Sequence, residues 1–210
     1  MPKVVPIRRT RTTTPKLVHQ FLVVLHGSTP LVWRRIQVPT TYSFWDLHVA
    51  IQDAMGWHDT HLHEFRVLDA ESRNTLTIGI KDEDSPSTLA GWTVPLADVF
   101  TRGRLHTPSM CYAYDFGDGW VHTVIHEGQW PATRGTKYPR LLDGQSQCPP
   151  EDCGGIYAFA ELVEAMANPT HARRQELLDW LGAPFDPHAF DASAVTFDDP
   201  KRRWRRAFER

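Results

Sequence analysis

Apolar positions recur along this chain with two periods, and the changes of period mark its elements. Residues 17–25, LVHQFLVVL, are dense in branched and aromatic side chains and predict a strand. The run His26-Gly27-Ser28-Thr29-Pro30 is a turn, and residues 31–38, LVWRRIQV, return as a second strand. Alternation puts Val32, Arg34, Ile36 and Val38 on one face and Leu31, Trp33, Arg35 and Gln37 on the other. The period then becomes helical: Leu47, Ala50, Ile51, Ala54 and Met55 form one stripe. Ser43 caps its start with Asp46 three residues on, and Gly56 stops it. Residues 61–68 and 75–80 read as strands again.

Residues 81–109 are loop-rich, with Pro86, Pro95 and Pro108 and one short helical stretch, PLADVF. Alternation resumes from Cys111 to Phe116 and from Trp120 to Glu127 around Gly117-Asp118-Gly119, a hairpin. Residues 128–154 form a long connection, and long connections are often functional. Beyond it Ile156, Phe159, Ala160, Val163 and Met166 make a helical stripe. Asn168-Pro169-Thr170 is a turn with Thr170 as cap, and HARRQELLDWLG ends at Gly182, completing an αα-hairpin. The class expected is therefore α+β: a β-grasp-like mixed sheet with one crossing helix, plus a C-terminal helical hairpin. One domain spans residues 16–195, with sheet and crossing helix at 16–127, the long loop at 128–154 and the helical pair at 155–195. Basic tails at 1–15 and 196–210 flank it.

Charge sharpens that division. The net charge is −2, but residues 1–16 and 201–210 carry +5 each, leaving −12 between them. Arg8, Arg9, Arg11, Arg202, Arg203, Arg205 and Arg206 therefore present cations to a polyanion such as nucleic acid, or to the acidic body itself. Three cysteines make no disulfide framework, no apolar run reaches membrane-span length and no secretory signal is evident, so a cytoplasmic location is expected.

Three blocks concentrate the chemistry: HLHEF (61–65), YDFGDGWVH (114–122) and CPPEDCGG (148–155). His61, His63, Asp115, His122, Cys148 and Cys153 are the side-chain types that hold zinc or another divalent metal, although Cys-x4-Cys is a loose spacing. Glu64, Asp115, Asp118, Trp120, His122, Glu151 and Asp152 form the wider candidate binding site. Each block also has a structural reading. Phe65 and Val67 share the face of the two histidines, Asp115 and Asp118 suit turn capping, and Glu151 or Asp152 suits a helix start. No Gly-x-Ser-x-Gly elbow, phosphate loop or His-Glu-x-x-His is present, so no catalytic residue is assigned.

These blocks, together with PLVWRRIQVP, LHVAIQDAMGWHDTHLHEF and LLDWLGAPFDPHAFD, resemble the plasmid pRiA4b ORF-3-like family, whose members are also described as insertion-element passenger proteins of the TnpR type. The resemblance spans residues 16–195 and implies an α+β fold and a mobile-element setting. The leading expectation is a non-catalytic accessory protein contacting nucleic acid or a protein partner through a polar-aromatic surface. The alternative is a metal-dependent, hydrolase-like enzyme using the histidine, aspartate and cysteine blocks.

Overall fold

The first hairpin forms where alternation predicts it. Strands β1 (Leu17–Leu25) and β2 (Trp33–Pro39) pair antiparallel, with Phe21 opposite Ile36. Val32, Arg34, Ile36 and Val38 are buried together, so an arginine stands in a row of core positions. Helix α1 (Phe44–Met55) follows with both ends sealed. The Ser43 hydroxyl accepts the Asp46 N–H at 3.2 Å, Asp46 Oδ2 accepts the Ser43 N–H at 2.8 Å, and Gly56 closes the helix at φ 87°. This is a computed structural model, and it describes residues 16–69, 72–81, 85–100 and 108–209. The candidate cations Arg8, Arg9 and Arg11 lie outside the described residues.

The remaining strands are β3 (His63–Leu68), β4 (Thr75–Gly79), β5 (Leu89–Ala90), β6 (Ser109–Tyr114), β7 (Trp120–Pro131) and β8 (Arg140–Gln145). They join one sheet in the order β5-β4-β3-β6-β7-β1-β2-β8, antiparallel except for β4 and β5. The mixed α+β class is as expected. The finer β-grasp-like description is not singled out by this order, because the hairpin β6–β7 inserts between β3 and β1. The core lies between the sheet and α1. It runs from Phe21 and Ile36 through Leu47 and Ile51 to Phe65, Tyr112 and Trp120.

Three local expectations change. The connection at 128–154 is not all loop: β7 continues to Pro131 and β8 adds to the free edge of β2. Alternation could not reveal this, because β7 bulges at Glu127, opposite the Gln20/Phe21 step, and β8 (RLLDGQ) has little apolar content as an outer strand. Helices α2 (Leu96–Phe100), α3 (Gly155–Ala167) and α4 (Arg174–Leu181) appear as expected, but Thr170 caps nothing. Its N–H and O–H both donate to Asn168 Oδ1, an Asx turn, and α4 starts later.

Thirdly, residues 196–210, expected as a tail, contain helix α5 (Pro200–Phe208). Asp199 caps it, with Pro200 in its first turn. It docks on α1: Trp45 Nε1–H donates to the Pro200 carbonyl at 2.9 Å, and Arg203 meets Asp53 at 2.6 Å. Trp204 and Phe208 pack edgewise on Trp92 and Trp45. This cover explains why even the outward residues of α1, such as Trp45, are buried. Among the described residues no helix is long and apolar enough to cross a membrane.

Candidate functional site at the sheet end

The three polar blocks meet at one end of the sheet. The β6–β7 turn brings Asp115 and Asp118, the turn entering β3 brings His61, and the segment before α3 brings Glu151 and Asp152. His61 Nε2–H donates to Asp152 Oδ1 at 2.8 Å and lies 3.7 Å from Asp115 Oδ2. Asp115 and Asp152 are both held at positive φ, 53° and 59°, a conformation uncommon outside glycine. Asp115 Oδ1 also accepts the Gly117 N–H at 3.0 Å and, at a longer 3.3 Å, that of Asp118, so the expected turn capping is present as well.

Glu151 ties this rim to the core. One of its oxygens accepts the His58 N–H at 2.7 Å; the other accepts the Tyr114 hydroxyl and approaches Thr60 Oγ1 at 3.3 Å. Burial, and then the Glu151 carboxylate, push the Tyr114 hydroxyl well above its ordinary pKa, so it is a fixed donor. Trp57 stacks on Tyr114 with ring centroids 5.0 Å apart and donates its Nε1–H to the Pro149 carbonyl at 2.9 Å. Asp118 Oδ2 accepts the Gly154 N–H at 3.1 Å. A groove of 920 Å³ opens beside the rim, with Glu151 and Asp152 on its wall and the half-exposed Trp180 opposite.

Other candidates lie apart. His63 begins β3 but is buried beneath α1 and belongs to a different cluster from His61, because the strand starts two residues later than the pattern suggested. Glu64 points to the opposite face and pairs with Arg66. His122 is fully buried; its Nδ1–H donates to the Tyr112 carbonyl at 3.3 Å, and burial lowers its pKa to about 3. Trp120 is core, with its indole N–H unpartnered.

The cysteines do not join the rim cluster. Burial drives the Cys148 thiol far up beside Arg34, and burial with nearby Asp118 takes Cys153 to about 12. Neither is a thiolate at neutral pH. Of the C-terminal arginines, Arg202 and Arg206 pair with Asp198, and Arg203 pairs with Asp53, so three of the four are engaged within the chain.

Periodicity gave no hint of a second polar group, inside the core. His48 and Gln52 lie outside the apolar stripe of α1, yet both are fully buried. The Asp59 carboxylate only accepts, so His48 Nε2 carries the proton and donates to it at 2.7 Å. His48 Nδ1 then accepts the Tyr112 hydroxyl at 2.8 Å, and Gln52 Nε2 donates to the same oxygen at 2.9 Å. The His63 ring lies flat on His48, with centroids 3.4 Å apart and planes 8° apart. The signal available in the sequence was spacing: His48 and Gln52 are one helical turn apart, among apolar neighbours.

The described architecture can be set beside known proteins. The chain resembles the uncharacterized protein y4hQ of Sinorhizobium fredii, with 37% identity over 198 residues, covering 90% of this chain and 94% of that one. Among solved structures, the protein of unknown function MM3350 from Methanosarcina mazei Go1 superposes with a TM-score of 0.80 at 36% identity, covering 88% of this chain and all of that one. Residues 17–194 match the sequence profile of the plasmid pRiA4b ORF-3-like protein. With sequence, fold and relatives in agreement over nearly the same span, the chain belongs to the plasmid pRiA4b ORF-3-like family.

Proposed function

We propose that this is a binding protein whose rim holds a divalent cation between His61, Asp115 and Asp152. The observation that carries the reading is their convergence. One nitrogen and two carboxylate oxygens, each from a different block, lie within 4.8 Å of one another, with Asp115 buried, His61 half-buried and Asp152 exposed. Two oxygen ligands and one imidazole suit a hard or borderline cation such as Mn²⁺. Three protein ligands leave open positions facing solvent, so a partner bearing a carboxylate or phosphate could complete the shell. The 920 Å³ groove that shares Asp152 provides the adjoining contact area.

The test is a calorimetric titration of Mn²⁺ into untagged protein. Wild-type protein is expected to bind one equivalent at the rim, and Asp115→Asn and Asp152→Asn to lose it. Unchanged Mn²⁺ affinity in both variants refutes the proposal.

The same open positions favour a second reading, a metal-dependent hydrolase, because three ligands plus water is the pattern of catalytic metal sites. Turnover of simple phosphoesters, esters or peptides by metal-loaded protein, abolished by Asp115→Asn, separates it from binding alone. Nucleic-acid capture by α5 is less favoured: Asp198 and Asp53 already neutralise three of its arginines, leaving Lys201 and Arg205 as its unpaired cations among the described residues. A plasmid or insertion-element setting accords with an accessory binding role.

A further inference from the structure

We infer that His48, Asp59 and His63 form a second, buried cation site, with a ligand set distinct from the rim's, that takes a borderline divalent metal of the zinc type. The inference stands on the inner cluster alone and does not depend on the rim reading.

His63 is the residue that calls for it. It is 3% exposed, and its ring packs on His48 and Trp45. It lines a cleft of 350 Å³ together with Asp59, Trp45, Phe208 and the rim residue His61.

One ligand atom from each of His48, Asp59 and His63 lies within 4.8 Å of the others. Tetrahedral bonds of about 2.0–2.2 Å need separations of roughly 3.4 Å, and because imidazole lone pairs lie in the ring plane, the His63 ring turns out of its stack on His48 for both rings to reach one ion. The metal would replace the proton on His48 Nε2. Nδ1 would then carry the proton and donate to the Tyr112 oxygen; a hydroxyl both donates and accepts, so Tyr112 supports either tautomer. Asp59 Oδ2 lies 3.7 Å from Arg203 Nη1, and Arg203 is held by Asp53 at 2.6 Å. Two imidazoles and one carboxylate match zinc, whereas the oxygen-rich rim does not select it. Phe208 of α5 lines the cleft beside these residues.

The experiment uses the full chain carrying Asp115→Asn and Asp152→Asn to silence the rim, with Zn²⁺ and Co²⁺ as probes. One retained equivalent of metal is expected, with visible ligand-field absorption for Co²⁺. Adding His63→Phe, which keeps a ring on His48 but removes the nitrogens, is expected to abolish that equivalent and the Zn²⁺-induced rise in Tm. Retention of the metal by folded His63→Phe protein overturns the inference, as does absence of metal binding in the rim-silenced chain. Should the phenylalanine variant not fold, X-ray absorption of the rim-silenced zinc protein decides. Two imidazole ligands support the site, and an all-oxygen shell overturns it.

Discussion

Gly155→Ala is the sharpest test of how the sheet end is assembled. Gly155 opens α3 at φ +80°, and a β-carbon there would sit 2.4 Å from the Asp118 carbonyl oxygen. That atom is backbone in the β6–β7 turn and cannot swing aside as a side chain would. The substitution therefore carries two costs. A left-handed alanine costs about 1–2 kcal/mol, and forcing the turn away from α3 costs a further ~1–3 kcal/mol. Gly154 is the internal control. It has φ +95°, but its added β-carbon would meet only Ala158 Cβ, at 3.1 Å. Gly154→Ala should thus cost little more than the backbone term, about 1–2 kcal/mol.

At roughly 2–4 °C per kcal/mol for a chain of this size, a loss of ~3 kcal/mol places the Gly155→Ala melt about 6–12 °C below wild type. The assay is reversible urea or thermal unfolding of both variants, followed by the Mn²⁺ titration. Displacing the turn moves Asp115 relative to His61, so Gly155→Ala should weaken Mn²⁺ binding more than Gly154→Ala does. If Gly155→Ala is no less stable than Gly154→Ala, the close approach of turn and helix is wrong, and the rim geometry with it.

Arg34 is almost fully buried, and its guanidinium donates to the carbonyls of Ala54, Trp33, Gln145 and Ser146 at 2.8–2.9 Å while lying over Phe190. Arg34→Met should therefore cost about 3–5 kcal/mol in urea unfolding, with Arg34→Lys failing to rescue because one ammonium cannot span four acceptors. His122 has its pKa lowered to about 3 by burial, so the unfolded state binds the extra proton. Its contribution to stability is complete above about pH 6.5 and falls by up to ~1.4 kcal/mol per unit as pH drops toward 3. Denaturation curves between pH 7 and 4.5 should show this slope, and His122→Gln should reduce it, the rest coming from His19, His63 and His126, whose pKa values burial also lowers. Burial raises the pKa of all three thiols, Cys111 included, so a thiol reagent at pH 8 should label the native protein far more slowly than free cysteine and label all three at once in urea.

The elements whose evidence is local were legible in the sequence. The stripe of Leu47, Ala50, Ile51, Ala54 and Met55, the Ser43–Asp46 capping box and the Gly56 stop define α1 within a few residues of chain, and they stand in the structure as read. The first hairpin and the Gly117-Asp118-Gly119 turn were equally plain. Where an element is secured from far away, the pattern was silent. β8 is a strand because β2 has a free edge, and α5 is a docked helix because Asp53, Trp45 and Trp92 wait for it more than a hundred residues upstream. A run of arginines reads as a solvated tail until those partners are known.

The site divides in the same way. Residue types named His61, Asp115 and Asp152 as chemistry, but only the fold joins them, through a turn, a strand start and a helix start separated by up to ninety-one residues. Only the fold also separates His61 from His63. Neighbours on one strand face in the pattern, they part because β3 begins at His63, leaving one imidazole at the surface and the other stacked on His48 in the core. The sequence by itself determined the class, the first hairpin, the crossing helix and the inventory of ligating groups, because each depends on periods and caps spanning a few residues. The tertiary structure decided the strand order, the fate of the C-terminus and the membership of each cluster, because burial and proximity depend on which distant surfaces pack together.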